Sequence, residues 1–402
     1  ERDSYFISET KVKTVNMTTY LDFASTTPMA PEVIEKMHAV MKEDSFGNPS
    51  SLDHKFGLAA KKIVERSRAE VADLINANPD EILWTSGATE SNNLAIVGFH
   101  QFQYKNQAMS FLTSHLEHKS VIECMDLIKA LGSKVSFIKP NDKGRIDLET
   151  LSNQMDEDAV FVSCMHVNNE TGIINDIEEI GKFCRKNEII FHVDAAQSIG
   201  KIPIDVDDMC IDLMSMSAHK VYGPKGVGAL YINKKSIGRV KSIIVGGGQE
   251  RGMRSGTLPT HQIVGMATAY KISKQRMHED LEHITQCQNS FLKKLSNLND
   301  WKINGSKEQS YPGILSICFP DLYSESLIYA MEDFAISRGS ACSSDHDEPS
   351  HVLKSMGLVD DEINGTIRIS FGRTTSIRQA ELAASELIKA VLHLRKLKGG
   401  SQ

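Results

Sequence analysis

Residues 217–230, SAHKVYGPKGVGAL, set Lys220 between a histidine and a Gly/Pro-rich turn, directly after the apolar run IDLMSM (211–216). An apolar run of strand length that stops at such a turn reads as a buried β-strand delivering polar residues to its carboxyl end. The same pattern recurs along the chain, in EILWTS (81–86), MSFLTS (109–114), KVSFIK (134–139), AVFVSCMHV (159–167), IIFHVD (189–194), DLMSMS (212–217) and GALYIN (228–233). Amphipathic helices lie between several of them. In LAAKKIVERSRAEVADLIN (58–76) Ala60, Ile63, Val64, Val71, Leu74 and Ile75 recur at helical spacing, and in DIEEIGKFCRKN (176–187) Ile177, Ile180, Phe183 and Cys184 fall on one face. Repeated β-α units predict an α/β fold, a mostly parallel seven-stranded sheet covered by helices on both faces. Past about residue 265 a long polar-rich helix (273–299), the short strands GILSICF and TIRISFG and a terminal helix (376–397) predict a smaller α+β domain. The expected division is 31–265 for the large domain and 17–30 with 266–402 for the small one. Residues 1–16, which begin with Glu1 and precede Met17, are expected to be a poorly ordered extension or tag.

A chain of 402 residues, 41% hydrophobic and 24% charged, is long enough to bury two cores. Its net charge of -7, with no long Lys/Arg block, argues against direct nucleic-acid binding. No apolar stretch reaches bilayer length, and the first residues lack the apolar centre of a signal peptide, so a cytoplasmic protein without a membrane partner is expected. The seven cysteines are an odd number with no C-x-x-C pair, which indicates neither a disulfide framework nor a zinc site. Most of them, such as Cys164 and Cys318, sit in apolar runs and read as small buried hydrophobes. Cys342 differs, because SRGSACSSD (337–345) is small and polar and reads as an exposed, mobile loop.

Five of the predicted strands end in residues that make poor core material. The first runs into GATESNN, where Gly87, Ala88 and Thr89 lead into a helix whose free N–H groups and dipole suit a phosphate. The others deliver His115 and His118, Asn168 and Asn169, Asp194 and Gln197, and Ser217, His219 and Lys220. A lysine in a partly dry site has a lowered pKa, and its free amine condenses with a carbonyl. An aspartate on a neighbouring strand holds a pyridine nitrogen protonated and makes the ring an electron sink. With a helix N-terminus and Ser and His donors for a phosphate, this set describes pyridoxal 5′-phosphate, carried on Lys220.

The motifs HVDAAQS (192–198), SAHKVYGPKGVGAL (217–230), GGGQERGMRSGTLP (246–259) and SRGSACSS (337–344) resemble, in order and spacing, those of the IscS/NifS-type cysteine desulfurases. The resemblance runs from TYLDFASTTPMAPEV (19–33) through FGNPSS and TSGATESNN to IRISFGRTT (367–375), and the GSAC loop points to the IscS/NifS branch over the SufS branch. It implies the type I fold of pyridoxal-phosphate-dependent transferases and a homodimer that converts L-cysteine to L-alanine. By resemblance, Lys220 carries the cofactor and moves the substrate α-proton, Asp194 pairs with the pyridine nitrogen, and His118 stacks on the ring and assists proton transfer. Gln197 and Asn169 would lie near the ring hydroxyl and the substrate. The phosphate would be held by Ala88, Thr89, Ser217 and His219, with Thr257 from a second subunit. Arg368 would clamp the substrate carboxylate. Cys342 would be the nucleophile that keeps the sulfur as a persulfide for an acceptor, such as an iron–sulfur scaffold or a tRNA-thiolation carrier.

Two stretches depart from the family pattern. Arg338 stands before GSAC where a small residue is usual, and either lowers the pKa of the Cys342 thiol or is a solvated loop charge. Asp345, His346 and Asp347 resemble a metal cluster only superficially, so no metal is expected. His115 reads as structural. A transaminase or selenocysteine lyase would share the cofactor residues but not need Cys342, and a scaffold that has lost catalysis would be expected to lack Lys220 or Cys342.

Overall fold

A computed structural model of the chain describes residues 18–42, 45–103, 109–338 and 349–399. In chain order its strands are β1 (Thr19–Tyr20), β2 (Ile82–Thr85), β3 (Ser110–Ser114), β4 (Lys134–Ile138), β5 (Ala159–Ser163), β6 (Ile190–Asp194), β7 (Leu213–Ser217), β8 (Gly228–Ile232), β9 (Lys302–Ile303), β10 (Ile314–Cys318), β11 (Phe334–Ala335), β12 (Ser337–Arg338) and β13 (Thr366–Ser370). The seven predicted strands, β2 to β8, form one sheet in the order β2-β8-β7-β6-β5-β3-β4. Strand β8 runs antiparallel to both β2 and β7, and the remaining pairings are parallel. Strands β2, β7, β6, β5 and β3 therefore end on one rim, where β8 begins.

Both faces of this sheet are covered, as continuous apolar strands require. Period-two alternation sends Leu83, Phe111, Phe161, Leu213 and Leu230 to one core, with Leu94 and Phe99 of the helix Ala88–Gln103. Trp84, Leu112, Val162, Phe191, Met214 and Tyr231 go to the other, with Val64 and Val71 of the helix Lys55–Leu74. Burying each such large side chain stabilises the fold by about 2 kcal/mol. A second sheet, β12-β13-β10-β9, packs against the terminal helix Ile377–Gly399, and Ile317, Ile369 and Leu387 lie in its core.

One helix of 36 residues, Thr260–Leu295, joins the two parts. Its first half adds Ile263, Met266 and Tyr270 to the sheet core, and its second half adds Ile284, Phe291 and Leu295 to the other. The boundary expected at residue 265 falls inside it. The N-terminal strand β1 pairs with β11, and Leu21 and Ala24 join the second core. The six described cysteines, Cys124, Cys164, Cys184, Cys210, Cys287 and Cys318, are buried and unpaired. Among the described residues no group of His, Cys, Asp and Glu could hold a metal ion. No helix there is long and apolar enough to cross a membrane.

Candidate active site

The shared rim builds a cavity of about 450 Å³ lined by Ser86, Ala88, Thr89, His118, Asn169, Asp194, Gln197, Ser217, His219 and Lys220, among others. Ligands of open α/β sheets bind at such carboxyl ends. Residues from 86 to 220 meet here because every strand that carries them ends on the same side.

The turn after β2 depends on a glycine of the opening motif. A Cβ on Gly228 would sit 2.6 Å from Gly87 Cα and 2.5 Å from the Met216 carbonyl oxygen, so only glycine lets the turn lie against the sheet. The helix Ala88–Gln103 starts from that turn. Burial raises the Glu90 carboxyl pKa, but hydrogen bonds from Arg254 at 2.8 Å and from the Ser86 N–H outweigh it and hold the group below its usual range. The segment 24–27 lies across the rim: Thr27 Oγ1 donates to the His219 carbonyl at 2.9 Å, Gln197 Nε2 donates to the Ala24 carbonyl at 2.7 Å, and His219 Nδ1 meets Thr26 Oγ1 at 3.1 Å.

Asp194 ends β6, is buried, and receives hydrogen bonds from the Ala196 N–H at 2.9 Å and from Asn92 Nδ2 at 2.8 Å. His118 caps the helix Lys119–Ala130 by accepting the Ser120 N–H at Nδ1. Burial, and then the charge of Lys220, push its pKa down, which keeps the imidazole neutral at neutral pH. Asn168 and Asn169 part ways: Asn168 Oδ1 accepts the N–H groups of Glu170 and Thr171 and holds the loop. Asn169 faces the cavity, and its Oδ1 is buried with no partner among the described residues.

Arg368, on β13, sits one layer behind the lining. It is fully buried, and its guanidinium donates to the Asn169 carbonyl at 2.7 Å, to Asp22 at 2.9 Å and to Ser25 at 2.7 Å, while Nε has no partner among the described residues. Thr257 is exposed and is not among the cavity residues. Cys342 and Asp345 to Asp347 lie outside the described residues. Flanking them, Arg338 pairs with Glu325 at 2.5 Å, His351 Nε2 donates to the Glu117 carbonyl at 2.9 Å and Ser350 Oγ donates to Glu170 at 2.5 Å. His115 is exposed and stacks on Phe137 with ring centroids 4.2 Å apart.

The sequence reading missed Lys201, Asn92 and Ser120. Lys201 and Lys220 line an adjoining, smaller cavity. Lys201 Nζ donates to Gln197 Oε1 at 2.9 Å and lies 5.6 Å from the Tyr311 ring centroid. Burial, and then Lys220 and Arg368, depress its pKa to about 7. Its place in QSIGK could have drawn notice, since it follows Gln197 by four residues. Asn92 and Ser120 lie inside helix patterns that carry no such mark.

The donor set fits pyridoxal phosphate. An amine (Lys220), a buried carboxylate (Asp194), a helix start with Ser217 and His219 beside it, and the unpartnered Asn169 Oδ1 share one cavity. Residues 19–382 match the Aminotransferase class-V family. The chain is 47% identical over 379 residues to a Cysteine desulfurase IscS of Pseudomonas entomophila, covering 94% of each chain. It is 48% identical over 380 residues to that of Colwellia psychrerythraea, again covering 94% of each. Among solved structures, a NifS-like protein superposes with a TM-score of 0.87 at 33% identity, over 94% of this chain and 100% of its own. SspA in complex with cysteine gives a TM-score of 0.78 at 36% identity, over 88% of this chain and 99% of its own.

Proposed function

The chain belongs to the Aminotransferase class-V family, and from that premise we propose how its cavity serves a cysteine desulfurase, a pyridoxal-phosphate-dependent enzyme that converts L-cysteine to L-alanine and passes the sulfur on. The observation that carries the reading is the meeting of Lys220, Asp194 and the helix start at Ala88 and Thr89 in one cavity. When bound, pyridoxal phosphate supplies a carbonyl that captures the amino group of an amino acid and a ring that takes up the electron pair released at Cα.

In this reading the protein's own groups do the rest. Lys220 would hold the cofactor and is the base that moves the substrate Cα proton. Asp194 holds a proton on the ring nitrogen. Ala88, Thr89, Ser217 and His219 bind the phosphate, with Thr257 of the partner subunit. His118, neutral because it is buried beside Lys220, stacks on the ring and assists proton transfer. Gln197 meets the ring hydroxyl, and Asn169 and Arg368 orient the substrate. Cys342 attacks the substrate sulfur as a thiolate: a sulfur–sulfur bond forms, the carbon–sulfur bond breaks, alanine leaves and Cys342 keeps the persulfide. The working unit is a cytoplasmic homodimer that hands this sulfur to an acceptor protein, an iron–sulfur scaffold or a thiolation carrier.

The test is to incubate the cofactor-loaded protein with L-cysteine and measure alanine, and sulfide after a thiol reductant. Equimolar release is expected, with Cys342→Ala retaining the yellow cofactor but forming little sulfide. Normal sulfide release by that variant would falsify the nucleophile assignment.

A further inference from the structure

Asn92, behind the cavity, and Ser120, on its wall, join the groups that act on the ring. Asn92 is fully buried in the helix Ala88–Gln103, and its Nδ2 donates to Asp194 Oδ2 at 2.8 Å and to Ser120 Oγ at 2.8 Å. Ser120 Oγ in turn lies 2.8 Å from His118 Nδ1, which also accepts the Ser120 N–H at 3.1 Å.

Donor and acceptor roles along this chain are forced. An ionised carboxylate only accepts, so the amide must turn its NH₂ toward Asp194. The second amide hydrogen then makes Ser120 Oγ an acceptor and frees its own proton for His118. Nδ1 of His118, facing two donors, must be the bare nitrogen. A neutral imidazole so held carries its proton on Nε2.

We infer that Asn92 and Ser120 are positioning residues that tie His118 to Asp194 and fix His118 as the Nε2-protonated tautomer. The relay sets what His118 offers the cavity: a donor at Nε2, with Nδ1 already engaged. It also couples His118, at the start of the helix Lys119–Ala130, to Asp194 at the end of β6. The inference rests on the reading of His118 given above only for its effect on turnover. The tautomer itself is a property of the protein.

The test is ¹⁵N spectroscopy of histidine-labelled, cofactor-loaded protein at neutral pH, with His118 assigned by the signal lost in His118→Gln. The wild type is expected to show an unprotonated Nδ1 and a protonated Nε2. Ser120→Ala leaves Nδ1 one donor, the backbone N–H of residue 120, so there and in Asn92→Ala a Nδ1-protonated fraction is expected to appear, and Ser120→Thr, which keeps the hydroxyl, restores the single form. Both alanine variants are expected to lose about ten- to a hundredfold in kcat for alanine formation, with little change in KM. Ser120 lies at the first turn of its helix, so its alanine variant keeps the test open if Asn92→Ala fails to fold. An unchanged single tautomer in Ser120→Ala, or a Nδ1-protonated form in the wild type, overturns the inference. Undiminished turnover in His118→Gln would instead overturn the catalytic reading of His118, whatever the spectra show.

Discussion

Arg368 illustrates how a role assigned by motif is refined by its surroundings. Its guanidinium is fully buried and spreads its donors over Asp22, Ser25 and the Asn169 carbonyl. Two of these partners, Ser25 and Asn169, line the cavity, so under the proposed role a substrate carboxylate would have to recruit Arg368 from an existing network. A lysine offers a point charge in place of the planar fork. Arg368→Lys is therefore expected to keep the fold and cofactor absorbance while raising the KM for L-cysteine by about tenfold or more. A variant with unchanged KM would remove Arg368 from substrate binding. The arginine is legible only through the family motif IRISFGRTT, in which it stands. The motif could not reveal Asp22, 346 residues away, as its partner.

The same limit governs the loop 246–257. Arg68, on the helix Lys55–Leu74, pairs with Glu250 at 2.8 Å, and Glu250 also accepts the Trp84 N–H of β2 at 2.9 Å. Arg254 of the same loop reaches Glu90 beside the turn after β2. These two pairs fasten the loop to the sheet edge. Breaking a buried pair leaves a charge without its counterpart, so Arg68→Met is expected to destabilise the protein by about 3–5 kcal/mol in urea unfolding. Arg68→Met with Glu250→Leu should recover part of that loss, and a purely additive double variant would show that the pair is not coupled. Seven strands are legible because each is an apolar run bounded by polar turns, and much of the cavity lining because those turns carry its residues. In LAAKKIVERSRAEVADLIN the helical period marks Val64 and Val71 for the core. Arg68, on the same face, looks like a solvated charge until Glu250 is folded beside it. The boundary expected at 265 falls inside the helix Thr260–Leu295 for a related reason, since its apolar face changes cores along its length while its middle stays polar.

At the scale of the whole molecule, the sheet buries histidines that must stay neutral. His192 on β6 lies between Ser163 Oγ at 2.8 Å and Ser215 Oγ at 3.0 Å, and burial pushes its pKa down to about 4. Burial does the same to His166. In the unfolded chain a histidine titrates near 6.5. Between pH 6.5 and 4 the unfolded state therefore binds protons that the folded state refuses, so stability falls as pH falls through that window. Each residue contributes about 2 kcal/mol of loss by pH 5. His192→Gln, which can still bond both serines, should show a smaller drop in urea midpoint between pH 7 and pH 5 than the wild type. An equal drop would assign the acid sensitivity elsewhere.

The whole account turns on which amine carries the cofactor, and two lysines share the adjoining cavity. Of the two, Lys220 alone also lines the large one. Borohydride reduction of the cofactor-loaded protein followed by peptide mapping decides between them. The account predicts a single pyridoxyl group on Lys220; a label on Lys201, or no label at all, would contradict it.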